Sequence, residues 1–334
     1  MTPSYHPIPV AEVIVETADA HTLVLAVPPD LLPRFAYAPG QFLTVRIPHG
    51  ESTVARCYSL SSSPQTDERL AITVKRVPGG HGSNWICDHT TAGSVLDVLP
   101  PAGGFTPGSL DTDLVLVAGG SGITPVLSII KAVLAGGRGR IALVYANRDP
   151  ESVIFAEQLR RIDEDHPRVT IHHWLDSAHG PPTAGSLGDL LRPYTGREAF
   201  VCGPAPYQRL VTDVLENLGF PAESVHIEYF DAPEPVAPPD AGGRVATVEV
   251  LLNDKTHELP WPADRRLLDV LIDAGLNPPY SCRQGNCGAC ATRIVEGEVE
   301  LVHNEILEDE DFAEGYTLAC QALPLTDRVG VSYQ

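Results

Sequence analysis

The sequence predicts a multidomain protein in which an antiparallel β-barrel is followed by an α/β domain with a parallel sheet and by a small third domain. Two changes of pattern along the 334 residues support this prediction. Short alternating strands separated by turn residues fill residues 1–108, as expected of a small barrel. In residues 109–230 apolar strands alternate with helical segments, which is typical of a parallel sheet covered by helices on both faces.

A proline-rich segment separates these two domains from the third. Residues 231–243 contain four prolines, two glycines and little that could be buried, so we predict a semi-rigid linker. Residues 244–334 form a last domain of about ninety residues. A hairpin in "ATVEVLLND" and "THELPW" and a helix of about three turns in "RLLDVLIDAGL" are predicted before a cysteine-rich loop.

Charge and cysteine content limit the class of function. The formal net charge is −20, from 43 acidic and 23 basic residues, so binding to nucleic acid or to an anionic membrane is not expected. The longest apolar stretch, from Leu114 to Ile130, is interrupted by "GGSG" and a proline, which argues against a membrane span. Seven cysteines without a visible secretory signal favour reduced thiols and a cytoplasmic location.

Three of the seven cysteines lie within "SCRQGNCGAC" and a fourth lies thirty residues further on. Their spacing is C-x4-C-x2-C followed by a distant cysteine, as in plant-type [2Fe–2S] proteins. The small residues between them let backbone N–H groups approach sulfur closely. A disulfide cluster or a zinc site is the alternative, but structural zinc sites usually pair two short cysteine knuckles and only one is present here.

The C-terminal domain therefore resembles plant-type ferredoxins. The resemblance implies a β-grasp (α+β) fold. It also implies that the cluster ligands are Cys282, Cys287, Cys290 and Cys320.

A second motif lies in "ARCYSLSSSP", where Arg-x-Tyr-Ser resembles the flavin-binding motif of ferredoxin reductase-type flavoproteins. The resemblance implies that Arg56 binds a phosphate, Tyr58 lies along the isoalloxazine and Ser59 hydrogen-bonds its reactive edge. Cys57 belongs to the motif and is included among its cofactor-binding residues, although a core position is favoured for it and for Cys87. Taken alone, the tetrapeptide could equally be an ordinary strand with an exposed arginine.

The segment "VKRVPGGHGSNWICDH" strengthens the flavin interpretation. Ser83 is predicted as the N-cap of a helix, so N–H groups around Gly82 and Ser83 would be available to a pyrophosphate, which favours FAD over FMN. Lys75 and His81 are further candidates for contact with the cofactor, or else are surface residues.

A third motif, "LVLVAGGSGITPVLSII", reads as strand, glycine-rich turn and helix, an arrangement that places phosphates at a helix N-terminus. It resembles the nicotinamide-nucleotide motif of the same reductase family, as do "CGP" and the terminal "EYF". The candidate nucleotide-binding residues are Gly119, Gly120, Ser121, Gly122, Thr124, Cys202, Gly203 and Pro204.

The same resemblance implies which residues surround the reacting rings. Thr124 and Glu228 would lie where flavin and nicotinamide meet, Cys202 near the nicotinamide, and Phe230 over the flavin. Together with Ser59, the implied catalytic residues are Thr124, Cys202 and Glu228. For Cys202, a buried thiol at a strand end is the alternative.

The residues after the second strand of the α/β domain bear on the choice of nucleotide. Asn147 and Asp149 in "YANRDPESVIF" favour a free ribose 2′-hydroxyl and therefore NADH. Arg148 could instead pair with a 2′-phosphate, so the interpretation favours NADH without excluding NADPH.

The order of the three domains resembles the reductase components of multicomponent bacterial oxygenases, most closely those of 3-ketosteroid 9α-hydroxylase systems. The resemblance implies electron flow from NADH through FAD and the [2Fe–2S] cluster to a terminal, Rieske-type oxygenase in steroid degradation. The acidic residues 305–315 are a candidate docking face. The alternatives are service to an aromatic-ring or phenylacetyl-CoA oxygenase, or a zinc-stabilised, non-enzymatic nucleotide-sensing module.

Overall fold

Six antiparallel strands build the N-terminal barrel. The computed structural model describes residues 5–50, 52–230, 243–252 and 254–333. The strand order is β4-β3-β6-β1-β2-β5, and a bridge between Leu60 and Ile72 joins the end of β4 to β5. The elements are β1 (His6–Thr17), β2 (Ala20–Leu25), β3 (Phe42–His49), β4 (Ser52–Ser59), β5 (Leu70–Lys75), α1 (His81–His89) and β6 (Val95–Val98).

Residue alternation explains the barrel's core. In β3 the apolar residues Leu43, Val45 and Ile47 recur with period two and are fully buried, because successive side chains of a strand point to opposite faces. They pack with Ile8 and Leu23 of the neighbouring strands. The predicted barrel is confirmed.

Five parallel strands form the second sheet, in the order β11-β10-β7-β8-β9. Their near-continuous apolar sequences match a sheet buried on both faces. The order reverses between β7 and β10, which makes that position the topological switch point where α/β sheets bind ligands. The elements are β7 (Leu114–Gly119), α2 (Ile123–Gly136), β8 (Ile141–Asn147), α3 (Ala156–Asp165), β9 (Val169–Leu175), α4 (Asp176–His179), α5 (Ala184–Leu191), β10 (Glu198–Cys202), α6 (Ala205–Asn217) and β11 (Val225–Glu228).

A mixed five-stranded sheet and a two-stranded sheet form the third domain. The order is β13-β12-β18-β14-β16, with β12 and β18 parallel, and β15 pairs with β17. The elements are β12 (Val245–Leu252), β13 (Lys255–Pro262), α7 (Leu267–Asp273), β14 (Ala291–Glu296), β15 (Val299–Leu301), α8 (Asp309–Ala313), β16 (Tyr316–Leu318), β17 (Ala322–Pro324) and β18 (Arg328–Ser332). The predicted hairpin is present as β12 and β13.

Helix α7 is shorter than the three turns predicted from its sequence. It has seven residues and ends at Asp273. Gly275 follows in the left-handed region with φ of 74°, and its N–H donates to the carbonyl of Ile272, 2.9 Å away. This glycine-based stop ends the helix although the apolar pattern continues to Leu276.

The predicted domain boundaries fall between these elements and remain predictions. The linker assigned to 231–243 lies outside the described residues except for Gly243. Within the described ranges, no helix has the length and apolar character needed to cross a bilayer.

Candidate functional site

Strand β4 carries the flavin motif and presents it on two faces. The side chains of Arg56 and Tyr58 lie on the face near α1: a Cβ added to Gly82 would be 2.9 Å from Cγ of Arg56 and 3.3 Å from the hydroxyl of Tyr58. Only glycine therefore fits between the strand and the start of α1. Ala55 and Cys57 lie on the other face, where they contact the third domain.

Ser59 ends the same strand with an unsatisfied hydroxyl. Its Oγ is buried, and within the described residues it has no hydrogen-bond partner. A buried hydroxyl without a partner is costly unless a ligand completes its hydrogen bonding. The glycine cradle, the arginine and this hydroxyl fit the phosphate and ring edge of a flavin.

The predicted N-cap role of Ser83 is wrong. Helix α1 begins at His81, and Gly80 is its N-cap, in an extended conformation. The Ser83 hydroxyl instead accepts a hydrogen bond from the N–H of Val77, 3.0 Å away, and so holds the preceding loop. The helix start still offers free N–H groups to a phosphate, but two residues earlier than predicted. His81 lies there with Nε2 2.6 Å from the carbonyl oxygen of Pro48.

The glycine-rich turn and the "CGP" segment meet at the switch point of the parallel sheet. Gly122 ends the turn after β7, and a Cβ on it would lie 2.1 Å from the carbonyl oxygen of Cys202 at the end of β10. Gly120 has φ of 53°, which favours glycine. The two motifs therefore close against each other at the start of α2.

A cavity of about 380 Å³ opens at this switch point. It contains two orphaned polar groups: the hydroxyl of Tyr207 and the side-chain amide of Asn147 have no hydrogen-bond partner in the described part of the chain. Such groups fit a bound nucleotide with ribose and phosphate oxygens. Other lining residues are Asp19, Lys75, Gly119, Gly120, Ser121, Arg148, Asp176 and Pro204.

Charges around the cavity differ from the sequence-based interpretation. Arg148 lies 3.4 Å from the carboxylate of Asp19, and Lys75 lies 3.8 Å from the same group. Asp149, interpreted as a ribose ligand, instead accepts a hydrogen bond from the N–H of Ser152 and caps a short 3-10 turn, so that interpretation is wrong.

Sequence reasoning missed Asp19, Asp176 and Tyr207. Asp19 belongs to the β1–β2 turn of the barrel, and no local pattern indicates that it reaches a cavity of the next domain. Asp176 follows β9 directly, and a polar residue at the carboxyl end of a parallel strand is a signal that could have identified it.

The implied catalytic residues of the α/β domain lie near this point but in different environments. Thr124 is buried and donates a hydrogen bond from Oγ1 to the carbonyl of Ser121, 3.0 Å away, so it braces the turn. Cys202 is fully buried, and burial, with a further contribution from Glu228, raises the pKa of its thiol. That environment keeps Cys202 protonated and unreactive.

Glu228 pairs with Cys202 across β10 and β11. Burial, with the nearby Glu305 carboxylate of the third domain as a second cause, raises the pKa of Glu228 to about 8. Its backbone carbonyl accepts a hydrogen bond of 2.5 Å from Nε2 of Gln208. Phe230, two residues further, is 44% exposed.

The four cysteines of the third domain gather in one loop region as two pairs. The N–H of Cys282 lies 3.5 Å from the sulfur of Cys287, and the N–H of Gln284 lies 3.3 Å from that of Cys282. The Cys290 and Cys320 thiols contact each other, and the hydrogen bond from Cys320 together with burial raises the pKa of Cys290. Four thiols with backbone N–H groups directed at sulfur fit a [2Fe–2S] cluster.

The cluster loop rests on the flavin motif strand. Sγ of Cys57 lies 3.2 Å from Oγ of Ser281, and Cys287 packs against Phe42 and Ala55. The pKa of the Cys287 thiol is raised: the Cys282 thiol acts downward, but the Cys57 thiol and burial outweigh it. The predicted core position is thus wrong for the half-buried Cys57, whereas Cys87 is buried under β5.

Three family models match the chain in the order of its domains. The oxidoreductase FAD-binding domain matches residues 7–106, the oxidoreductase NAD-binding domain residues 116–213, and the 2Fe-2S iron-sulfur cluster binding domain residues 250–325. The last match favours iron–sulfur over zinc for the four cysteines.

Similar proteins extend over the whole chain. The "3-ketosteroid-9-alpha-monooxygenase, ferredoxin reductase component" of Mycolicibacterium smegmatis is 50% identical, covering 97% of this chain and 96% of that protein. Its counterpart in Rhodococcus rhodochrous is 48% identical over 97% and 95%. One component of the 1,2-phenylacetyl-CoA epoxidase of Escherichia coli is 32% identical over 99% and 98%.

Among solved structures, phthalate dioxygenase reductase matches with a TM-score of 0.62 and 29% identity, covering 99% of this chain and all of that one. Fold and sites together define an oxidoreductase with FAD-binding, NAD-binding and [2Fe–2S] domains. The chain belongs to the family of ferredoxin reductase-type flavoproteins that serve as reductase components of oxygenases. Membership implies a terminal oxygenase as its partner.

Proposed function

We propose that this protein transfers electrons from NADH to the terminal, Rieske-type oxygenase of a 3-ketosteroid 9α-hydroxylation system. The observation that carries the proposal is identity of 48–50% with two such reductases over 97% of the chain. Identity with the phenylacetyl-CoA epoxidase component is lower, at 32%. The reduced thiols and the use of NADH support a cytoplasmic location.

When bound, FAD accepts two electrons from NADH as a hydride and releases them singly, and a [2Fe–2S] cluster carries one electron at a time. Arg56 and the N–H groups at the start of α1 bind the flavin phosphates. Tyr58 lies along the ring, and the buried Ser59 hydroxyl hydrogen-bonds the ring edge. The orphaned Oγ of Ser59 supports this assignment.

The nucleotide binds with its phosphates on the turn from Gly119 to Gly122, at the start of α2. Asn147 and Tyr207 supply hydrogen bonds inside the cavity. Asp19 and Asp176 line the same cavity, and Asp19 is close to Arg148, which would otherwise be free to bind a 2′-phosphate. Two carboxylates near the ribose favour NADH over NADPH because they repel a 2′-phosphate.

The remaining residues position the rings and hold a proton. Thr124 braces the phosphate turn, and Cys202 packs beneath the nicotinamide position without acting as a nucleophile. Glu228, whose pKa is raised to about 8, is protonated at neutral pH and can donate a hydrogen bond at the junction. Phe230, with its exposed ring, covers the outer face of the flavin.

A reconstituted assay tests the proposal. Purified reductase is combined with NADH and with one of three terminal components: a 3-ketosteroid 9α-hydroxylase oxygenase, a phenylacetyl-CoA epoxidase or a glycine betaine monooxygenase. We expect hydroxylated product with the steroid oxygenase at a rate at least about ten-fold above the others. NADH-to-ferricyanide activity controls for a working flavin. Product with another component alone would overturn the steroid assignment, and the absence of NADH-to-ferricyanide activity would overturn the reductase assignment.

A further inference from the structure

The four cluster cysteines have two kinds of surroundings. Cys290 and Cys320 pack within the third domain's own core, with residues such as Leu268 and Val331. Cys287 and its neighbour Ala289 instead pack against the barrel. The barrel residues in that contact are Phe42, Ala55 and Ala102. One side of the cysteine loop therefore faces its own domain, and the other side faces the flavin motif.

The contact with the barrel is apolar at its centre and has a polar link beside it. The thiol of Cys57 lies 3.2 Å from the hydroxyl of Ser281, one residue before Cys282. At the rim, Ile306 packs on the contact, and a Cβ on Gly104 would lie 3.3 Å from Oε2 of Glu305. Glu305 is fixed to the loop because its N–H donates to the carbonyl of Gly285, 3.0 Å away.

We propose that this surface, the cluster-loop face formed by Ser281, Cys282, Ala289 and Ile306, is used in turn by the barrel of the same chain and by the terminal oxygenase. The inference rests on the proposed function, since it assumes a protein acceptor. The reason is geometric: electron transfer slows steeply with distance, and the Cys290–Cys320 side is enclosed by the third domain's core. The shortest way in and the shortest way out are therefore the same face.

The surroundings of this face indicate the character of the partner. Next to it, α8 carries the exposed acidic residues Asp309 and Glu310, and Glu314 follows directly. A partner with an apolar centre and a basic rim matches this pattern. Because the barrel covers the face in the structure, the two uses exclude each other, and Cys57 reports which of them is occupied.

A disulfide trap tests the proposal. Ser281→Cys places a thiol opposite Cys57, and mild oxidation should join them, which peptide mass spectrometry detects. In the cross-linked protein, NADH should still bleach the cluster absorption. Oxygenase-dependent product formation should fall at least about ten-fold, because product depends on the fraction of protein in the open state. Dithiothreitol should restore it.

The matched control is Cys57→Ser/Ser281→Cys, which has the same new thiol but cannot cross-link and should keep its activity after oxidation. Undiminished oxygenase turnover in the cross-linked protein would overturn the proposal. So would failure of the disulfide to form, or loss of cluster bleaching on cross-linking.

A second measurement uses the wild-type protein and guards against loss of the cluster in the variant. Maleimide labelling of Cys57 is followed by mass spectrometry, with the buried Cys87 and Cys202 as internal references. Added oxygenase should speed labelling several-fold if it takes over the cluster-loop face, and unchanged or slower labelling would overturn the proposal. Cytochrome c as acceptor separates the two hypotheses: if the cross-link blocks its reduction while no oxygenase responds even to the wild type, the partner assignment fails and the shared face stands.

Discussion

At the scale of single residues, the polar atoms without partners are the most informative. The buried hydroxyl of Ser59 has no partner among the described residues, whereas that of Ser61, two residues on, lies 2.9 Å from Oγ1 of Thr73. The first hydroxyl is available to a ligand and the second is part of the fold. The two serines therefore form a matched pair.

We expect Ser59→Ala to weaken FAD binding by about 3- to 10-fold, the value of one hydrogen bond, without lowering the stability of the flavin-free protein. Ser61→Ala should do the reverse and cost about 1 kcal/mol of stability. Flavin fluorescence on titration and thermal unfolding of the flavin-free protein measure the two effects. Equal flavin affinity in wild type and Ser59→Ala would contradict the assigned role.

Glu228 should make stability depend on pH. Its pKa is raised from 4.5 to about 8, so burial favours the neutral form. The stability that the neutral form contributes is complete below pH 4.5 and is lost as pH rises through about 8. Glu228→Gln should therefore be more stable than the wild type at pH 9, by on the order of 1–2 kcal/mol, and similar at pH 5.

Urea unfolding of the flavin-loaded protein at several pH values measures this difference. Glu305→Gln is the control, because removing the second carboxylate should shift the transition to lower pH. A difference between Glu228→Gln and wild type that does not change with pH would show that Glu228 is not held neutral.

At the scale of elements, short motifs predicted positions well where the backbone alone decides them. The turn from Gly119 to Gly122 lies where the strand–turn–helix pattern put it, because a Cβ at Gly122 would overlap the carbonyl of Cys202. The prediction failed where a side chain had two possible partners. Ser83 and Asp149 both bind loop backbone in place of the expected role.

Contacts between domains could not be predicted from local sequence. Asp19 reaches the nucleotide cavity from the barrel, and Cys57 faces the third domain, 224 positions from its partner Ser281 along the chain. No periodicity or spacing encodes such pairs, since they depend on how complete domains pack. The fold class was accessible from sequence, but these positions required the structure.

We expect Gly122→Ala to weaken NADH binding at least about ten-fold and to cost about 1–3 kcal/mol of stability, because its Cβ would overlap a backbone carbonyl at 2.1 Å. Gly108→Ala is the matched control, since a Cβ there meets nothing within 4 Å. Isothermal titration with NADH and thermal unfolding measure both effects. A Gly122→Ala variant with normal affinity would show that the turn does not hold the nucleotide.

At the scale of the whole molecule, the acidic surface of the third domain is divided between two uses. Glu305 lies at the contact with the barrel, and Asp311 is buried with Oδ2 accepting from the N–H of Glu308. The acidic residues 305–315 are therefore not one continuous docking face. Asp309, Glu310 and Glu314 remain exposed and available to a partner.

Neutralising these three residues as Asp309→Asn/Glu310→Gln/Glu314→Gln should slow electron delivery to the oxygenase at low salt. The effect should shrink at high salt, since the Debye length falls from about 10 Å at 0.1 M to about 3 Å at 1 M. The control, Asp213→Asn/Glu216→Gln/Glu223→Gln, removes the same charge from the exposed surface of the α/β domain. Identical salt dependence in both variants would exclude α8 from docking.

The central claim is that one chain passes electrons from NADH through FAD to a [2Fe–2S] site held by Cys282, Cys287, Cys290 and Cys320. Anaerobic titration with NADH, followed by absorbance, tests it most directly. Two electrons for the flavin and one for the cluster require about one and a half equivalents of NADH per chain. Cys290→Ser should keep its flavin and need about one equivalent. A wild type that is fully bleached by one equivalent, or a Cys290→Ser variant that loses its flavin together with iron, would contradict the account.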